Sequence, residues 1–183
     1  EIGVISADAA LSIPDFRASE RAFQLLVQVA GRAGRGDTRG RVLVQTFDPE
    51  HHAIKFAARH DVDGFIEREL RDRKELSYPP FSRIVLTRVD ALDEHEASLG
   101  AALLARAARV AADSGPREGG AVTVLGPTPA PIAKVRNRYR FRVMLRSTSR
   151  EQLRRVTLAI HAASTTLRRA VRVVIDVDPV GLL

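Results

Sequence analysis

Apolar residues recur along the first part of the chain at three- and four-residue steps. Phe23, Leu26, Val27 and Ala30 fall on one helical face and predict a helix reaching about residue 33, with Ser19 or Asp15 placed to cap its start. Ahead of it, "IGVISA" reads as a short buried strand through Ile2, Val4 and Ile5. After the turn "RGDTRG", the run "RVLVQTF" reads as a second strand. Strand, helix and strand in succession make one unit of a parallel α/β sheet. A strand at the very first residues, with no initiator Met, carries the expectation that the chain begins inside a fold. Residues 51–77 show helical stripes in Ile54, Phe56 and Ala57 and then in Phe65, Ile66, Leu70 and Leu76, with a break near "HDVDG". The charged "ERELRDRKE" is a solvated face with pairs such as Glu67 with Arg71. "YPPF" stops any helix, because each proline forces extended backbone on what precedes it, and a domain boundary is placed there.

The second half predicts a strand over 82–90, a helix over 93–113, strands over 121–126 and 138–147, a helix over 149–169 and a strand over 171–178. That order, β-α-β-β-α-β, is the split βαβ of ferredoxin-like domains. Leu99, Leu103, Ala107 and Val110 form the apolar stripe assigned to the first helix; Leu153, Val156, Ile160, Ala163 and Leu167 form that of the second. In "NRYRFRVML" the alternation puts Arg138, Arg140 and Arg142 on one face of a strand and Tyr139, Phe141, Val143 and Leu145 on the other. Two helices cover one side of a four-stranded sheet, so the aromatic side is expected inward and the arginines on the open side. Arginines without exposed aromatics favour phosphate contact over base readout. The loop "GPTPAPIAKVRN", stiffened by three prolines and carrying Lys134 and Arg136, either extends that surface or is a plain rigid connection.

Charge sharpens the division. The chain of 183 residues carries a net +7, yet residues 128–172 hold twelve Lys and Arg against the single acid Glu151, a local +11 that leaves −4 for the remainder. Such segregation points to a polyanion partner for the second half, the other reading being a basic face that sits against other protein. The absence of cysteine excludes disulfides and thiolate metal sites. His51, His52 and His60 form no ligand set, since adjacent histidines on a helix point apart, and no metal site is expected. No run of 18 apolar residues suggests a membrane span, and "EIGVISAD" lacks the features of a signal peptide, so a cytoplasmic protein is expected.

The stretch "QVAGRAGR", residues 28–35, puts Gln28, Arg32 and Arg35 at i, i+4 and i+7 on a common side of the first helix, with Gly31 and Gly34 leaving that side uncluttered. Glycine in a helix costs roughly 1 kcal/mol relative to alanine, so its use there suits close approach of another group to the backbone. A solvated helix end with capping glycines and dipole-compensating arginines is the other reading. The wording resembles motif VI of superfamily 2 helicases. With "ISADAALSIPDFRASER" before it and "GRVLVQT", "LSYPPF", "GPTPAPIAKVRNRYRFRVML" and "DVDP" after it, the chain resembles the primosomal protein N′ (PriA) family of replication-restart DNA helicases over nearly its whole length.

That resemblance implies an α/β architecture: the end of a parallel helicase motor lobe 2 over residues 1–50, a helical linker over 51–80 and a ferredoxin-like C-terminal DNA-binding domain over 81–183. It implies that Arg32 and Arg35 act as arginine fingers toward ATP held by another lobe, with Gln28, Gly31 and Gly34 at the nucleotide. Arg17, in a segment resembling motif V together with Asp8, would couple to the DNA track. Lys134, Arg136, Arg138, Arg140 and Arg142 would contact DNA. ATP and Mg2+ would serve the parent protein, and zinc its upstream cysteine region. Branched and single-stranded DNA, other primosome proteins and single-strand-binding proteins are the implied partners. No "GxxxxGK[ST]" and no "DExH" occurs, so the chain alone is expected to lack ATPase activity. A non-enzymatic basic nucleic-acid-binding module that keeps motif VI is the alternative.

Overall fold

The computed structural model describes all residues except 1, 5, 34–40, 116–119 and 183. The chain divides into two compact units, residues 1–76 and 77–183, both mixed α/β. Among the described residues no helix is long and apolar enough to cross a membrane.

In the first unit, β1 (Ile2–Val4) pairs in parallel with β2 (Val42–Val44), and α1 (Asp8–Leu11) and α2 (Ala18–Ala33) lie between them in sequence. This is the expected strand-helix-strand order, with both strands shorter than the apolar runs suggested. α2 turns Ala22, Phe23 and Leu26 inward. His60, with φ 53°, ends α3 (His52–Ala58), and Asp61 caps α4 (Val62–Glu75) by accepting from the Gly64 amide at 2.8 Å. That is the break anticipated at "HDVDG". The two helices are not set apart as a connection: Ala53, Ile54, Ala57 and Phe65 share one core with Phe23 and Leu26. The Phe65 ring stacks on Phe23 at 3.9 Å between centroids.

That stack sets the rotation of α4 and corrects its predicted stripe. Phe65 and Glu69 face inward, whereas Ile66, Leu70 and Leu76 are exposed. A buried carboxylate is tolerable because Glu69 accepts from Arg73 Nε at 2.9 Å and lies 3.2 Å from His52 Nε2. The adjacent histidines do not point apart. His51 precedes the helix with extended backbone, so its ring stacks on His52 at 4.6 Å while its Nδ1 accepts the Ala53 amide at 3.2 Å.

The second unit runs β3 (Arg83–Ala91), α5 (Glu94–Asp113), β4 (Thr123–Val135), β5 (Arg138–Ser147), α6 (Arg150–Ser164) and β6 (Arg172–Val177). Its antiparallel sheet has the order β4-β5-β3-β6. Both helices pack on one face, where Val85 and Val89 of β3 and Leu145 of β5 meet Leu104, Ala108, Leu153, Val156 and Ile160. The α6 stripe is the expected one through Leu153, Val156, Ile160 and Ala163, but the helix ends at Ser164 and not at 169, so Leu167 packs against the same core from the segment that follows. The α5 stripe is not: Leu99, Leu103 and Val110 are exposed, and the buried face is Ala97, Gly100, Ala101, Leu104, Ala105 and Ala108. Small residues let the helix backbone approach the sheet. A Cβ on Gly100 would lie 3.2 Å from Val171 Cγ1 and 3.3 Å from Val89 Cγ1, so larger side chains are turned outward.

β4 is longer than predicted. The proline-bearing "loop" from Gly126 onward is an edge strand with two register irregularities, one at Leu125/Thr128 and one at Pro129/Lys134. Edge position and bulges are where a strand tolerates residues that lack an N–H. Gly126 has φ +93°, and a Cβ there would fall 2.7 Å from the Arg142 carbonyl oxygen, so the first irregularity requires glycine.

Candidate nucleic-acid interface

On α2 the residues opposite the buried Phe23 and Leu26 are Gln28, Gly31 and Arg32, all exposed. Neither Gln28 nor Arg32 has a side-chain partner among the described residues, and a Cβ on Gly31 would meet nothing within 4 Å. Gly34 and Arg35 lie outside the described residues. The donors of Gln28 and Arg32 and the open space beside Gly31 therefore suit an anionic group such as a nucleotide phosphate.

The start of α2 is fixed by Asp15. Its buried carboxylate accepts the Arg17 amide at 3.0 Å and pairs with Arg21 at 3.2 Å. Ser19 lies within the first turn rather than ahead of it. The Arg17 guanidinium sits 5.0 Å from the Phe16 ring, and that of Arg73 sits 5.2 Å from the same ring. Asp8 accepts from Thr46 Oγ1 at 2.8 Å and from the Phe47 amide at 3.1 Å, tying α1 to the end of β2. Those bonds, the Thr46 hydroxyl first, hold its carboxyl below the usual range. Arg73 also pairs with Glu20 of α2 at 2.8 Å, so one chain of charges, Glu20–Arg73–Glu69–His52, links α2, α4 and α3. Burial raises the Glu69 carboxyl, but the bonds from His52 and Arg73 outweigh it and the net shift is downward. Burial, followed by the neighbouring His52, lowers His51.

The sheet face away from the helices carries the second feature. Register places Arg140 of β5, Asp90 of β3 and Arg172 of β6 in one row across three strands, and Arg142, Arg88 and Val174 in the next. Adjacent strands lie roughly 4.8 Å apart, which concentrates four guanidinium stems around one carboxylate. That carboxylate is already paired: Arg138 Nε bonds to Asp90 Oδ1, and Arg138 Nη2 donates to the carbonyls of Asp90 at 3.0 Å and Ala170 at 2.9 Å. With its side chain 15% exposed, Arg138 is a structural clamp. Arg142 donates to the Leu182 carbonyl at 3.0 Å. Arg88, Arg140 and Arg172 have no side-chain partner among the described residues.

The face is not wholly open, because Ile84 and Leu86 on it are buried. Leu182, held by Arg142, and Tyr78, over which the Arg146 guanidinium lies at 5.8 Å, are set against it. Nor do all the candidate basic residues share it. Lys134 pairs in register with Tyr139, which points to the helix side, and its Nζ lies 3.1 Å from the Tyr139 hydroxyl and 4.4 Å from the ring. Arg136 is exposed in a two-residue turn with Asn137, φ 49° and 62°. Sequence reasoning missed Arg88 and Arg172. The alternation of "ILRD" at Ile84, Leu86, Arg88 and Asp90 was visible, but only the register of β3 with β5 and β6 brings it beside Arg140.

The "Replication restart protein PriA" of Bacillus subtilis (strain 168) is 37% identical over 180 residues, covering 97% of this chain and 22% of that protein. The protein of the same name from Synechocystis sp. is 35% identical over 99% of this chain and 21% of its own length, and that from Treponema pallidum is 37% identical over 100% and 27%. The chain thus spans about a fifth to a quarter of the curated relatives it matches. Among solved structures, a hydantoinase/carbamoylase family amidase from Burkholderia ambifaria aligns at a TM-score of 0.37 and 21% identity over 52% of this chain and 27% of that one, too slight a likeness to bear on the fold. Residues 74–180, which coincide with the arginine-bearing second unit, match the family described as primosomal protein N C-terminal domain, and the chain belongs to that family.

Proposed function

We propose that this chain is the C-terminal part of a cytoplasmic, ATP-dependent DNA helicase of replication restart, whose second unit holds branched or single-stranded DNA by its phosphates. Arg88, Arg140 and Arg172 on the sheet face, without side-chain partners among the described residues, carry this reading. Guanidinium groups in rows, without exposed aromatic rings, bind a backbone in any sequence. The unit's element order and its strand order β4-β5-β3-β6 support a ferredoxin-like domain. The parallel β1-α2-β2 unit supports the end of a motor lobe in the first.

Within that lobe, Gln28, Gly31 and Arg32, with Gly34 and Arg35 beyond the described residues, are the side that faces ATP. The nucleotide with its Mg2+ supplies the energy of translocation when bound. The chain's own contribution is a helix whose buried face is anchored by Phe23 and Leu26 and whose outward face presents the Arg32 guanidinium, without a partner among the described residues. With no cysteine in this chain, a thiolate zinc site belongs to another part of the longer protein. Other primosome and single-strand-binding proteins are the partners proposed for it, a reading that rests on the family resemblance of the sequence.

The test is a salt titration of DNA binding by this chain. Each phosphate contact contributes a log-log slope of roughly −0.9 on duplex and −0.7 on single strands, so changing Arg88, Arg140 and Arg172 together to Gln lowers both affinity and slope. A folded triple variant with undiminished affinity and slope overturns the assignment.

A further inference from the structure

We infer that the bulge in β4 is an apolar wedge for the branch point of DNA, a reading that rests on the phosphate-binding role proposed above for the sheet face. The observation is one of register. Pro129 pairs with Phe141 and Lys134 with Tyr139, so the four residues Ala130 to Ala133 stand opposite the single residue Arg140. The bulge is therefore the outer end of the row Arg140–Asp90–Arg172. Ala130, 6% exposed, anchors it; Ile132, 54% exposed, projects from it. Pro129 and Pro131 hold the backbone to a narrow range of φ on either side of Ala130, so the projection is stiff. No acidic residue occurs anywhere from 123 to 147, while Lys134 and Arg136 follow within four positions of Ile132.

A nucleic-acid strand held along the arginine row runs into an isoleucine backed by proline. Proteins that part base steps use this chemistry: an aliphatic side chain presented from a rigid support, flanked by cations that hold the backbone on either side. One isoleucine contact is smaller than the cost of unstacking a step inside an intact duplex. The wedge therefore takes the place where stacking is already interrupted, the junction of a branched DNA. It touches base faces and not their hydrogen-bonding edges, so it selects structure and not sequence.

The experiment uses this chain with a branched DNA and an unbranched duplex of equal length, each carrying 2-aminopurine either beside the branch position or deep within an arm. Binding is expected to raise the fluorescence beside the branch and leave the arm position unchanged. Ile132→Ser is expected to abolish most of that rise and to cut the preference for branched over unbranched DNA about tenfold, whereas Ile132→Leu retains both. Thermal melting of each variant confirms that the fold is intact, as an exposed position predicts. A branch-site fluorescence that does not respond to saturating binding overturns the wedge alone, and so does an Ile132→Ser protein with full preference. Failure of the chain to bind either DNA overturns the phosphate reading beneath it and the wedge with it.

Discussion

Arginine 138 and arginine 140 are two residues apart on one face of one strand, and the structure gives them opposite tasks. Arg138 is enclosed by Asp90 and two carbonyl groups, so Arg138→Gln leaves a partly buried carboxylate without its partner. Its expected cost is about 1–3 kcal/mol of stability, read from urea unfolding of the chain. Arg140→Gln is expected to change stability by less than about 0.5 kcal/mol while weakening DNA binding, the reverse pattern. His51 provides a second residue-scale prediction. Its pKa is lowered from 6.5, chiefly by burial, so the folded form binds the proton less well than the unfolded one. The stability this group contributes is full above pH 6.5 and is lost as pH falls below it. Protonation also removes the lone pair that accepts the Ala53 amide. His51→Asn, which keeps a capping oxygen, is expected to flatten the fall in melting temperature between pH 7.5 and 5.5. An unchanged slope counts against it. Glu69, lowered from 4.5, adds a further loss only as pH drops below that value.

At the scale of elements, α5 separates what periodicity can tell from what it cannot. Its length and limits were legible, and Asp93 caps it by accepting the Glu96 amide at 2.8 Å. Its inward face was not, because the leucines outweigh the alanines in any hydrophobic count, whereas the sheet selects for the smallest side chains. Leu103 and Leu104 make the test direct. Leu104→Ala, at 0% exposure, should cost about 2–5 kcal/mol, and Leu103→Ala, at 41%, under about 0.5. Equal costs would restore the stripe read from sequence. The α6 stripe was legible for the opposite reason: Leu153, Val156 and Ile160, at helical spacing, are large residues that pack, and Leu158, off that spacing, is exposed. β5 was legible to the residue, since alternation of Arg with apolar residues admits one pairing face, but its partners were not. Arg88 and Arg172 became candidates only through antiparallel register, a long-range property that no local pattern encodes. The proline stretch of β4 was misread because prolines argue against a central strand, and they do not argue against an edge.

For the whole molecule, the division between Leu76 and Ser77 predicts that residues 77–183 fold without the rest, since their core is complete in itself. Expressed alone, that segment should melt cooperatively and retain the salt-dependent DNA binding of the full chain. The chain itself is expected to hydrolyse no ATP with or without DNA. In the longer protein, Arg32→Ala is expected to lower ATP turnover on the order of 10³-fold while DNA affinity changes little. Equal losses in both would place Arg32 at the DNA. The edge formed by β4 has a further bearing on how the protein behaves at high concentration. A sheet border normally offers a row of amides on which a second copy can build, the first step toward fibrous association. Pro127, Pro129 and Pro131 remove three of those amides, and the bulge breaks the spacing of those that remain. The opposite border, β6, is six residues long and carries Arg172 and Asp176. Neither side of the sheet is a good template, so a domain with an exposed aliphatic crest is expected to resist such association.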